Sequence, residues 1–293
     1  MARLPRDHWQ KINAQLDVEK DYEQIARNLA DYEFPWDYYQ ALRIALFRTY
    51  AVPSIGGLLH DTGAFEGDVQ KRHDDTTLLL WSISHYGIDS KDGHTSIRRM
   101  NQMHGSYDIS NDDMLYVLST FVVMPRRWQR DYGWRDLTDA ESLAGVTYWQ
   151  RLGKLMGIKQ IPATAEEFDE YFDRYEAENF RFNEKSRAVA QVTMALAGEP
   201  YPRIVRPLVN ASMRALLDDH LIEAFGFKKA PKVLILAIKG TLRIRARILA
   251  HMPARRDPVL VFDRPEVKVR AGEYDLEEVG TFPEVKGQAD RSA

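Results

Sequence analysis

The sequence predicts an all-α protein, a multi-helix single domain. Three observations carry that prediction: apolar residues recur at three- and four-residue spacing along nearly the whole chain, helix-capping residues mark the boundaries, and alternating strand patterns are almost absent. At 293 residues the length would allow two domains, but no internal repeat and no linker divides the chain.

The elements follow in order. Helices are expected over 6–16, 18–32 and 37–50, the last opening after Pro35 and closing before Pro53, where proline cannot continue a helix. A short apolar piece, Ile55 to His60, precedes a glycine-containing turn. A helix from about Asp68 to Tyr86 should end on Gly87 as a left-handed cap, and another from about Thr95 to His104 should end similarly on Gly105. Ser110 or Asn111 can cap a helix ending near Pro125. Thr138 with Glu141 forms a capping-box pattern that opens a helix stopping near Gly157, and Thr164 with Glu167 repeats the device. Helices ending at Gly198, at Gly226 and near Pro253 complete the set. Beyond residue 257 the chain is proline-broken and charged, with a short extended piece at Pro258 to Phe262 and disorder expected over the last ten or so residues.

Composition excludes several function classes. Forty basic and forty-three acidic residues give a net charge of -3, so no cationic excess points to a nucleic-acid partner. With no cysteine, disulfides, thiolate metal sites, iron-sulfur clusters and thiol nucleophiles are ruled out. The first residues lack an apolar signal-like run, which makes cytoplasmic residence the default expectation. The longest apolar run, Val233 to Ile238, is far too short to span a bilayer. The helix from Pro231 to His251 is rich in Lys and Arg as well as apolar residues. It is expected to pack with one cationic edge in water, the alternative being that it lies on a membrane surface.

The eight histidines form no HExxH or comparable metal-ligand spacing, and there is no GxSxG elbow, P-loop or GxGxxG fingerprint. Two neighbouring stretches remain, RHDDTTLLLWSISHYG and HTSIRRMNQMHGSY. In the first, Arg72, Asp75 and Thr76 fall at i, i+3 and i+4, with Leu79, Leu80 and Ile83 continuing the face. A buried guanidinium and carboxylate cost several kcal/mol unless they pair with each other or with a ligand. The arrangement is compatible with a polar wall in an apolar pocket, or with a plain Arg–Asp pair at a helix start. In the second stretch Ile97, Asn101 and His104 share a face, with Met100 one turn before His104. A buried neutral imidazole there could bind iron or could simply be a core histidine bonded to a carbonyl. Trp81, Tyr86 and Met103 are expected to be core residues.

Motif order carries more than spacing. FRTYAVPSIGGLLHDTG, RHDDT, IRRMNQMHGSYDISNDDMLYVLSTFVVMPRRW, GWRDLT, MGIKQIPAT and AGEYDLEEVG together resemble the bacterial latex clearing proteins and the fungal MpaB-type oxygenases. RHDDT, NDDMLYVLSTF and MGIKQIP are closer to the MpaB branch. The resemblance implies a globin-like helical core over residues 1–257, an oxygenase catalytic domain, with 258–293 as an irregular extension packed on it. It further implies a non-covalent haem b, with His104 as the proximal iron ligand; Asn101, on the same helix face, is a candidate cofactor contact. Arg72 and Thr76 match the family's distal arginine and threonine. Asp75, expected with Arg72 and Thr76 among the catalytic residues, stands where the rubber enzymes carry a lysine that can cap the iron. Glu66 and Asp61 lie in the stretch where a catalytic base would be sought. The expected reaction is dioxygen-dependent cleavage of a C=C bond in a small apolar, isoprenoid or prenylated substrate. The alternative is a non-catalytic haem- or lipid-binding protein of the same fold, which Asp75 would favour.

Overall fold

The computed structural model describes residues 3–63, 69–199, 201–264, 266–269 and 274–280. Among these residues every regular element is helical, as the apolar spacing predicts. The expected disorder of the last residues falls outside the described part, as does Glu66.

The centre of the molecule is α7 (Asn111–Tyr132), which Ser110 caps by accepting the Asp113 N–H. It packs against α3 (Pro35–Thr49), α8 (Asp139–Leu155) and α9 (Ala165–Asn179). The expected stop at Pro125 does not occur, and α7 continues through it to Tyr132. Proline removes the amide that would bond the carbonyl four residues earlier. Here Phe121 and Val122 before it and Trp128 and Tyr132 after it are all buried, so packing holds both halves in line.

Two apolar clusters flank this axis. One joins Phe47, Tyr116, Phe168, Phe172 and Phe225 from α3, α7, α9 and the end of α12 (Asp219–Ala224). The other joins α2 (Tyr22–Arg27), α5 (Val69–Tyr86), α6 (Lys91–Gly105) and α8 through Ile25, Leu79, Ile83, Ile97 and Leu152. Between α2 and α3 the chain makes a π-helical turn, Asn28–Glu33, in which the Phe34 N–H reaches the Leu29 carbonyl five residues back.

Two largely buried arginines are paired with carboxylates. Arg48 bonds both Glu176 and Asp218, and Glu176 also accepts from the Tyr116 hydroxyl. Arg135 forms a fork to Glu141, whose other bonds go to Asn13 and to the Thr138 backbone that it caps.

Several boundaries differ from expectation for physical reasons. The Ile55 to His60 piece belongs to a helix, α4 (Pro53–Asp61), with Pro53 in its first turn. Helix α6 begins earlier, because Ser90 accepts the Gly93 N–H as its cap. Gly87 is left-handed as expected (φ +97°), whereas Gly105 stays in the helix. Two separate helices, α11 (Arg206–Arg214) and α12, precede Gly226, and α10 (Glu184–Gly198) stands before them. The extended piece at Pro258 closes in a 3₁₀ turn, Val261–Asp263, whose Val261 packs on Leu78 of α5. Helix α13 (Lys232–Ala250) departs most. It leans on α7 and α11, yet only Ala246 is fully buried, and several large apolar side chains face outward instead of into the core.

Candidate active site

A cavity of about 490 Å³ runs between α3, α4, α5, α6, α7, α8 and α10, within the size range of small-molecule sites. The two helices that the sequence singles out, α5 and α6, pack on each other and supply part of its polar lining. Arg72, Thr76 and Leu80 come from successive turns of one face of α5, while Met100 and His104 come from one face of α6. Tyr50 joins the lining from the end of α3, and Leu118, Phe121 and Trp149 add apolar wall from α7 and α8.

His104 is distinguished from the other histidine on this wall by its hydrogen bonding. His73 has both ring nitrogens engaged, Nδ1 with Asp74 at 3.2 Å and Nε2 with the Tyr39 hydroxyl at 3.4 Å. Among the described residues, His104 Nδ1 is buried and has no hydrogen-bond partner. Burial, and then the charge of Arg72, hold the His104 pKa below its ordinary value, so at neutral pH the ring is uncharged and carries a nitrogen lone pair. Burial also lowers the Arg72 pKa and raises that of Tyr50, the direction expected for groups on a weakly solvated wall. The lining also includes the charged residues Arg43, Arg264, Glu266 and Lys268, with Arg43 3.9 Å from Glu266 and Arg264 4.3 Å from the Tyr39 ring centre.

Of the residues expected in the site, Arg72, Thr76 and His104 share the cavity. Asp75 and Asn101 do not. Successive helical residues are turned by about 100°, which carries Asp75 past the edge of the cavity face. Its carboxylate pairs with Lys71 at 2.6 Å and accepts the Gly280 N–H at 3.2 Å, tying α5 to the C-terminal segment. Asn101 instead donates to the Leu155 carbonyl at the end of α8. Leu79 and Ile83 likewise lie in the core and not on the cavity wall. Asp61 is outside as well, paired with Lys185, which together with His60 lowers its pKa. Trp81, expected in the core, lines the cavity, while Tyr86 is exposed. His73 could have been found by extending the face from Val69 to Thr77, but Tyr50, Arg264 and Glu266 reach the cavity only through tertiary packing.

Residues 36–247 match the family described as ER-bound oxygenase mpaB/B'/rubber oxygenase, catalytic domain. The chain belongs to this family. The matched span contains α5, α6 and the whole α7 axis, and so holds most of the cavity wall, including Arg72, Thr76 and His104. The chain is similar to an "ER-bound oxygenase mpaB'" of Penicillium brevicompactum, at 28% identity over 80% of this chain and 60% of the relative. An "ER-bound oxygenase mpaB" of Penicillium roqueforti (strain FM164) is 30% identical over 69% of this chain and 74% of its own length. A third relative, "ER-bound oxygenase mpaB" of Penicillium brevicompactum, is 32% identical over 60% and 50%. The chain therefore spans between half and three quarters of these relatives' lengths. Among the described residues no helix is long and apolar enough to cross a membrane, and no cluster of three or more His, Asp or Glu side chains could hold a bare metal ion.

Proposed function

We propose that this chain is a haem b-dependent oxygenase that cleaves a C=C bond of a small apolar substrate, the isoprenoid or prenylated class being the expected one. The observation that carries the reading is the uncharged imidazole of His104, with its buried Nδ1 unpartnered among the described residues, on a cavity wall that also presents Arg72 and Thr76. A haem would be held through one such nitrogen and would not need a cluster of ligands, and the paired nitrogens of His73 make it the poorer candidate. Two carboxylated propionates would find cations at Arg43 and Arg264 on the wall.

When bound, haem would supply the dioxygen chemistry. In the overall reaction both oxygen atoms end on the two former alkene carbons as carbonyls, so no external reductant is consumed. The protein's share is to position and to exclude water. Arg72 and Thr76 give the cavity wall hydrogen-bond donors that would meet negative charge developing on bound oxygen or substrate, and a donor in a weakly solvated site acts more strongly than in water. Leu80, Met100, Leu118 and Phe121 seat an apolar chain and keep water out. Asp75 does not weaken this reading, because its carboxylate is spent on Lys71 and Gly280 away from the cavity.

The test is the absorption spectrum after reconstitution with hemin, followed by oxygen uptake with prenylated aromatic compounds. A Soret band lost in His104→Ala, together with substrate-dependent oxygen uptake, supports the proposal. Absence of any Soret band in the reconstituted wild type would sink it.

A further inference from the structure

Helix α13 turns its apolar side outward. Val233, Leu236, Ile244 and Ile248 are 79%, 72%, 57% and 58% exposed, and their spacing puts them on one face of a helix about 28 Å long. Helix α11, which touches α13, adds Leu208 at 59%, and the turn before it adds Ile204 at 89%. A patch of several large side chains across two adjacent helices exceeds the scattered exposure normal for a water-facing surface.

Charge identifies what covers it. From Ala224 to Arg256 the chain has nine Lys and Arg residues and no Asp or Glu, and from Tyr201 to Leu217 it has three Arg and again no acid. Lys229 and Arg245 are spent on partners elsewhere in the fold. On helical geometry Lys232, Lys239 and Arg243 fall within about 40° of one another along one edge of the exposed apolar face, and the exposed Arg247 falls between Leu236 and Val233, where its long side chain can reach from the face to the headgroups. An apolar face edged by cations is the pattern of a helix lying in the interface of an anionic bilayer. A second copy of this chain fits less well, since a two-fold contact through the same face would bring like charges together.

We infer that α11 and α13 form a docking surface for an anionic membrane, with Leu208, Val233, Leu236, Ile244 and Ile248 entering the interface and Lys232, Lys239 and Arg243 meeting the headgroups. The position suits a cavity that takes apolar molecules. Leu196, Ala197 and Glu199 at the end of α10 line the cavity, and the exposed apolar run begins immediately after them at Tyr201.

The test is co-sedimentation of the full chain with phosphatidylcholine vesicles, with and without about 30 mol% phosphatidylserine, and it does not depend on haem loading. The expected result is binding to the anionic vesicles that weakens as salt is raised tenfold from about 0.05 M. Leu236→Asp with Ile244→Asp should lower partition at least about tenfold, while the circular dichroism spectrum and melting temperature stay unchanged. Lys232→Gln with Arg243→Gln should lower it about fivefold per charge removed. No wild-type binding, equal binding to neutral vesicles, or full binding by the Asp variant would overturn the inference. So would a concentration-dependent dimer that the Asp variant abolishes without any vesicle binding, which would assign the face to a second copy.

Discussion

Arg72 and His104 face one cavity from consecutive helices, and the guanidinium charge adds to burial in keeping the imidazole neutral. The relationship makes α5 the electrostatic partner of α6 in addition to its packing neighbour. If Arg72 acts this way, Arg72→Met should raise the His104 pKa toward its ordinary 6.5, which ring-proton NMR titration would measure. An unchanged midpoint would show that burial alone sets it.

Removing the imidazole should remove haem. Loss of an outer partner of a metal ligand already costs about 10- to 100-fold in affinity, so His104→Ala should weaken hemin binding beyond that range. His73→Ala is the control: both of its nitrogens are spoken for by Asp74 and Tyr39, and hemin affinity should change far less. A reversal of the two effects in a Soret titration would move the axial ligand to His73.

Donor groups in the cavity should matter for reaction more than for loading. Thr76→Val keeps shape and removes the hydroxyl, and a donor acting on developing charge is worth about 100-fold in rate. Oxygen uptake at saturating substrate should therefore fall steeply while the Soret band stays. Equal losses of both would point to a structural role for Thr76.

The sign of the pH effect follows from the lowered His104 pKa. Below pH 6.5 and above the native value, the unfolded chain holds a proton that the native chain lacks, so native stability falls with falling pH across that window and is unaffected above it. His104→Gln should flatten the dependence of melting temperature on pH between about 7.5 and 5. An identical slope in the variant would assign acid sensitivity to other groups.

The Arg48, Glu176 and Tyr116 network should be costly to break. Burial raises the Glu176 pKa while Arg48 opposes that rise, so the carboxylate depends on its partner. Arg48→Met leaves a buried charge unpaired and should destabilise the protein by about 3–5 kcal/mol in urea unfolding. A change under about 1 kcal/mol would mean that water reaches Glu176.

Asp75 shows where reading one dimension misleads. The i, i+3 relation to Arg72 is real, but a face is about 100° wide and its edges are set by what packs on the helix. The structure spends Asp75 on Lys71 and Gly280, so Asp75→Asn should disturb the C-terminal segment and leave hemin binding alone. Limited proteolysis beside a Soret titration would separate the two.

The all-α class, most helix starts and the placement of Arg72, Thr76 and His104 on neighbouring helices were legible in the sequence, because apolar periodicity and capping are local properties. Local rules could not say that α7 would cross Pro125, since that depends on burial of the residues on both sides. Nor could they set His73 apart from His104, a distinction that rests on Asp74 and on Tyr39 from a different helix. The outward face of α13 was equally hidden: the same apolar spacing serves a packed helix and a membrane-facing one, and only the neighbours that the tertiary structure supplies decide between them.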